Sequence, residues 1–116
     1  MIIRQLENIY NDWESKLGKN EWYFSDEFDL ITKNMTPFQA FSYMPNVISA
    51  LLELQDKDLI WETLDLLSDL YSIADTAEIH PFLKDNWNIL EEHIHNYKEV
   101  YDTPFQELKG MLRIKS

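Results

Sequence analysis

The clearest periodic pattern in the chain lies at Lys57–Ala74, KDLIWETLDLLSDLYSIA. Placed at about 100° per residue, Leu59, Ile60, Leu64, Leu66, Leu67, Leu70, Tyr71, Ile73 and Ala74 cover about half of a helix circumference. So wide an arc exceeds the stripe of a simple surface helix and predicts neighbours on more than one side. On the opposite side Asp58, Glu62, Asp65 and Asp69 fall within about 60° of one another. No Lys or Arg follows Lys57 in this stretch. Like charges at i,i+4 weaken a helix by roughly 0.2–0.5 kcal/mol per pair, and Asp58/Glu62 and Asp65/Asp69 are two such pairs. Folding gains nothing from the ridge, which therefore reads as a surface for something basic.

The other elements follow in order. Residues 2–17 predict an amphipathic helix, with Ile3, Leu6, Ile9, Tyr10, Trp13 and Leu17 on one side and Asn8, Asn11, Asp12 and Ser15 on the other. Gly18 is its expected stop, since glycine enters the left-handed conformation without Cβ strain. Residues 19–35 leave two alternatives open: Ser25 and Asp26 capping a short helix through Ile31, or a brief extended segment at Trp22, Tyr23 and Phe24. Thr36-Pro37-Phe38-Gln39 opens a helix over 36–53, with Thr as N-cap, Pro at the first helical position and Gln completing a capping box. Its polar side is a thin line of Gln39, Ser42, Asn46, Ser49 and Glu53; Phe38, Phe41, Met44, Val47, Ile48, Leu51 and Leu52 predict a mostly buried rod. Pro45 removes one backbone hydrogen bond, so a kink, or a break near residues 43–45, is expected. Only Leu54, Gln55 and Asp56 separate this helix from the next, which predicts an antiparallel hairpin.

After Ala74 an irregular DTAEIHPF segment leads to a helix beginning near Pro81, because the residue before Pro is biased away from helix. Leu83, Trp87, Leu90, Ile94 and Tyr97 form its stripe as far as Lys98 or Glu99; Lys84, Asn88, Glu91, Glu92 and His95 read as solvated surface. Thr103-Pro104-Phe105-Gln106 repeats the earlier capping motif and is expected to open a last helix with Phe105, Leu108 and Leu112 inward. Lys109, Arg113 and Lys115 then favour its C-terminal dipole. The sum is an all-α, single-domain protein over 1–116, a bundle or a short stack of antiparallel helical hairpins with four to five principal helices.

Composition narrows the function. The formal charge of −11, from 21 acids against 10 bases, disfavours nucleic acid and anionic membranes as direct partners. Solvation is the plain alternative use of that charge. With Cys 0 there is neither a disulfide framework nor a thiolate nucleophile or metal ligand. The start MIIRQLENIY lacks the apolar core of a signal peptide, and no apolar run approaches the roughly 18–20 residues of a membrane span. A cytoplasmic protein is expected.

Catalytic chemistry finds little support. Di-metal bundles need inward-facing Glu residues and two Glu-x-x-His pairs; here there is one, Glu92-x-x-His95, on a polar side. The ridge carboxylates point away from the apolar arc and cannot converge in a core, so neither metal nor other cofactor is expected. His80, His93 and His95 have no ligand partner on a shared face and read as linker or rim residues. Two glycines cannot make a phosphate loop, and no Ser occupies a strand-turn-helix elbow. An enzyme is not expected.

Recognition remains. Between Glu53 and Lys84 stand Glu53, Asp56, Asp58, Glu62, Asp65, Asp69, Asp75 and Glu78, with Lys57 the only base. Trp61 lies at the edge of the ridge, where an aromatic anchor beside steering charges suits an interface; covering a neighbouring helix is its other use. Trp22 and Tyr23 lie in a stretch with four acids and no base between Lys19 and Lys33, and join Asp58, Trp61, Glu62, Asp65 and Asp69 as partner-binding candidates.

Residues 41–94, FSYMPNVISALLELQDKDLIWETLDLLSDLYSIADTAEIHPFLKDNWNILEEHI, resemble the small helical immunity proteins of bacterial polymorphic-toxin and contact-dependent growth inhibition systems. The likeness lies in paired Leu-rich helices, the acidic turn at 55–58 and the D-T-x-E-I linker at 75–79, and covers about half the chain. It implies tight inhibitory binding of a cognate toxin domain, often a basic nuclease; on that reading the protein is expected to be a monomer when free. A non-enzymatic helical adaptor or self-associating scaffold, using exposed Trp22, Tyr23 or Trp61, is the alternative.

Overall fold

The computed structural model describes residues 2–114. Every regular element among them is helical: α1 (Arg4–Tyr10), α2 (Trp13–Lys19), α3 (Tyr23–Thr32), α4 (Pro37–Glu53), α5 (Lys57–Ala74), α6 (Pro81–Ile94), α7 (Lys98–Val100), a π turn (Tyr101–Phe105) and α8 (Gln106–Met111). The α4–α5 hairpin is the centre of the fold and its largest helix–helix interface. α6 lies on α4, while α3, α7 and the π turn lie on α5. α1 is tied to both: the Tyr10 hydroxyl meets Thr63 Oγ1 at 2.6 Å and the Tyr43 hydroxyl donates to Gln5 Oε1 at 2.7 Å. None of the helices among the described residues is long and apolar enough to cross a membrane.

The hairpin forms where the pattern places it. Thr36 and Gln39 make the reciprocal capping box, with Gln39 N donating to Thr36 Oγ1 at 3.1 Å and Thr36 N to Gln39 Oε1 at 2.9 Å. Asp56 caps α5 by accepting from Asp58 N and Leu59 N at 2.9 and 3.4 Å. The whole apolar arc of α5 is inward, with Ile60, Leu64, Leu66, Leu67, Leu70 and Tyr71 all buried. α4, however, runs unbroken through Pro45. An interior Pro costs a helix about 3 kcal/mol, whereas burying each of Met44, Val47, Ile48 and Leu51 returns roughly 1.5–3 kcal/mol. Packing wins.

The flanks depart further from the sequence expectation. The helix expected over 2–17 is two, because Asn11 is extended and Asp12 is left-handed (φ 54°, ψ 32°). Asp is among the few non-glycine residues that tolerate this conformation. The bend lets Tyr10 reach Thr63 while the Trp13 ring meets Phe24 at 5.9 Å. Gly18 is no stop; it lies inside α2. Within residues 19–35 the helical alternative holds, over Tyr23–Thr32, but Ser25 and Asp26 lie inside α3 and do not cap it. Asn20 Oδ1 accepts from Trp22 N at 3.1 Å and Asn20 Nδ2 donates to Asp26 at 3.0 Å, so Asn20 organises the start of α3. The helix count accordingly exceeds four to five.

At the C-terminal end α6 stops at Ile94, and the next helix is under way at Lys98 rather than opening at Thr103. No side-chain cap marks either junction of the π turn. Pro104 has no N–H for an α-type bond, and a π turn, one residue wider, accommodates it inside a continuing helix. Phe105 is buried there, stacked on Trp87 at 5.0 Å and on Tyr101 at 5.5 Å. Leu108 and Leu112 are inward as expected. Lys109 is not a dipole-facing surface lysine: it is 3% exposed and pairs at 3.1 Å with Glu91, which was expected in solvent. Lys115 lies outside the described residues.

A candidate protein-binding cleft lined with carboxylates

Because the apolar arc of α5 is inward, the ridge is outward, and two neighbouring helices convert it into a cleft. α3 contributes Ser25, Phe28 and Asp29, α5 contributes Glu62, Asp65, Ser68 and Asp69, and α8 contributes Glu107; the space they enclose is about 300 Å³. Five carboxylates thus face one another across three helices, and among the described residues no Lys, Arg or His lines the cleft. Asp58 stands one turn before Glu62, exposed near the start of α5. Among the described residues the ion pairs are Lys57–Glu99, Lys98–Asp102 and Lys109–Glu91, and none reaches the ridge.

The cleft shifts proton affinities upward. Partial removal of water by its walls, followed by the neighbouring charges of Asp69 and Glu107, pushes Asp65 up to about 6. Glu62 is raised by burial and then by Asp65 and Asp58. Asp69 is raised by burial and then by Asp29. Asp65 and Asp69 keep much of their surface in solvent, so burial here means the inner side of each carboxylate. Such a site favours proton uptake or a cationic group from outside. Among the described residues, no group of three or more His, Asp or Glu side chains is arranged to hold a metal ion.

The aromatic candidates separate. Trp61 is half-buried and packs against the core with part of its indole in solvent. Trp22 is 66% exposed at the N-terminal boundary of α3. Tyr23 is buried, with its hydroxyl donating to Ile9 O at 2.7 Å and its ring edge-on to Phe24 at 5.2 Å. It belongs to the core because the helical turn that exposes Trp22 directs the next side chain inward.

Asp29 and Glu107 were missed by sequence reasoning. Asp29 sits in the stretch without a firm assignment, where only the Ser25/Asp29 i,i+4 spacing signals a shared face. The face of Glu107 depends on the π turn, which has no periodic signature. Each histidine has a structural role. His80 Nδ1 accepts from Phe82 N at 3.0 Å, capping α6, with its ring 4.6 Å from Phe41; burial lowers its pKa, opposed by Glu78. His93 Nε2 donates to Leu54 O at 2.7 Å, and His95 stacks on Tyr101 at 3.8 Å.

No family model, curated protein or solved structure matches this chain.

Proposed function

We propose that this protein is an immunity protein that binds and neutralises a basic bacterial toxin domain by protein–protein contact, in the cytoplasm of its producer and without catalysis. One observation carries the reading: Asp29, Glu62, Asp65, Asp69 and Glu107 share a cleft that no cationic side chain lines among the described residues. Lys and Arg side chains of the toxin enter this cleft, Asp58 extends the contact along α5, and the solvent-facing edge of Trp61 anchors its rim. Charges of this kind steer association and set its salt dependence, while the aromatic anchor holds the complex. If the toxin is a nuclease, the carboxylate row takes the place of phosphates, since i,i+4 groups are about 6 Å apart along a helix.

The test asks first whether a toxin gene lies immediately upstream of this one, and then whether co-expression with the domain it encodes rescues growth, followed by calorimetry on the purified pair. The double variant Asp58→Lys/Asp65→Lys is expected to weaken binding by about tenfold or more, that is about 1.4 kcal/mol, and to flatten its salt dependence. Unchanged affinity removes the ridge from the interface. A second reading, a self-associating scaffold, draws on Phe38, which is 78% exposed, at a groove of about 460 Å³ lined in part by Phe38, Ile31 and Met35. Light scattering on the free protein separates the two, since the first expects a monomer.

A further inference from the structure

At His80 the helices α4, α5 and α6 are tied together, and one of the three ties needs an unprotonated ring nitrogen. The backbone N–H of His80 donates to the Tyr71 hydroxyl of α5 at 3.1 Å. Its ring lies on Phe41 of α4, with the centroids 4.6 Å apart. Its Nδ1 accepts from Phe82 N at 3.0 Å and so caps α6. Pro81 has no N–H, so Phe82 supplies the first amide that α6 presents, and His80 satisfies it. An amide N–H can only donate, so Nδ1 carries a lone pair and the proton of the neutral ring sits on Nε2. The usual capping side chains Ser, Thr, Asn and Asp keep an acceptor oxygen throughout the neutral and mildly acidic range. An imidazole does not. A proton on Nδ1 sets two donors against each other and adds positive charge at the positive end of the α6 dipole.

We propose that His80 is an acid-sensitive clip: neutral, it fastens the start of α6 to the α4–α5 hairpin, and on taking up a proton it releases the first turn of α6. The groups around the ring suit this role. α4 presents Phe41 and α5 the Tyr71 hydroxyl, both uncharged in this range. α6 presents its N-terminus, with Lys84 and Asp85 exposed one turn further on. Glu78 in the linker favours the proton, but desolvation against the hairpin outweighs it and holds His80 below the ordinary 6.5. A group whose folded pKa lies below its unfolded one stabilises the fold fully above the unfolded value. It loses that contribution as pH falls through the folded value. The clip is therefore whole well above 6.5 and fails on the acid side of it. Glu62, Asp65 and Asp69, whose proton affinities are raised, act with the opposite sign, so a comparison of variants isolates His80.

Thermal melting of the full chain from about pH 7.5 to about pH 5, wild type against His80→Asn, is the test. Asn caps helices and has nothing to titrate, and the carboxylates are the same in both proteins. The Asn variant is expected to gain about 2–4 °C on the wild type across that range. His80→Ala, capless at every pH, is expected to melt below the wild type at the upper end and to approach it at the lower. Nitrogen NMR of the wild-type ring is expected to find the neutral-state proton on Nε2. Amide exchange at Phe82 is expected to lose protection on acidification in the wild type and to keep it in His80→Asn. None of these readouts involves a toxin, so the clip and the immunity function fail separately. A melting difference that does not change with pH, a neutral ring protonated at Nδ1, or equal loss of protection at Phe82 in both proteins overturns the proposal.

Discussion

The two sides of α8 treat charge in opposite ways. On one side Lys109, 3% exposed, donates to Glu91 on α6, and the Tyr101 hydroxyl meets the same carboxylate at 3.5 Å. Two residues earlier in sequence, Glu107 faces Asp65 across a cleft that no base lines among the described residues. The first arrangement gives each ionised group an opposite charge or a donor; the second leaves several anions to share one space. Sequence counts alone treat these acids as equivalent members of a total of 21. The fold divides them into a latch and a repulsive cleft, so the chain's negative charge is not merely a uniform solvating coat.

The contrast can be broken at three points. Lys109→Ala is expected to have the largest effect, lowering unfolding free energy by about 2–3 kcal/mol in urea denaturation. That is below the roughly 3–5 kcal/mol of a fully buried pair, because the Glu91 side chain keeps 26% of its exposure and can recover water. Lys109→Met combined with Glu91→Leu is expected to regain most of the loss, as apolar replacements of buried pairs often do; failure to regain it would mean that the pair is more than a packing element.

Gly110→Ala comes next and sharpens the comparison by strengthening the helix without changing either charged side. Gly110 is helical with negative φ, and a Cβ there meets nothing within 4 Å. The gain should be about 0.5–1 kcal/mol, read from the same denaturation curves. Glu107→Gln is the smallest. Removing one repelling charge from an exposed position should stabilise by no more than about 0.5 kcal/mol and move the Asp65 titration downward, as followed by carboxyl NMR shifts. A rise in that titration would show that Glu107 supports the Asp65 anion instead of opposing it.

How much of this was legible in the sequence varied with how local the cause was. The α4–α5 hairpin could be read closely, because its caps are side chains of Thr36, Gln39 and Asp56 acting within three residues and its apolar arc has a single period. The break allowed for at Pro45 does not occur, since intrinsic propensity takes no account of the four buried neighbours that keep the helix continuous through it. The Asn11–Asp12 bend was obscured because apolar spacing continues across it. On the candidate site, the α5 ridge was visible, and its partners Asp29 and Glu107 were not, since their meeting depends on how α3 and α8 dock. Tyr23 and Trp22 were grouped as neighbours in sequence, whereas one helical step places them in the core and in solvent.

The π turn at Tyr101–Phe105 has a consequence for register. A single widened turn acts as a one-residue insertion, advancing everything downstream by about 100° around the helix axis. Glu107 and Lys109 therefore owe their directions to the widening that accompanies Pro104. A chain shortened by one residue within 101–105 would regain an ordinary spiral and, with the same side chains, rotate the lysine off α6 and the glutamate off the cleft.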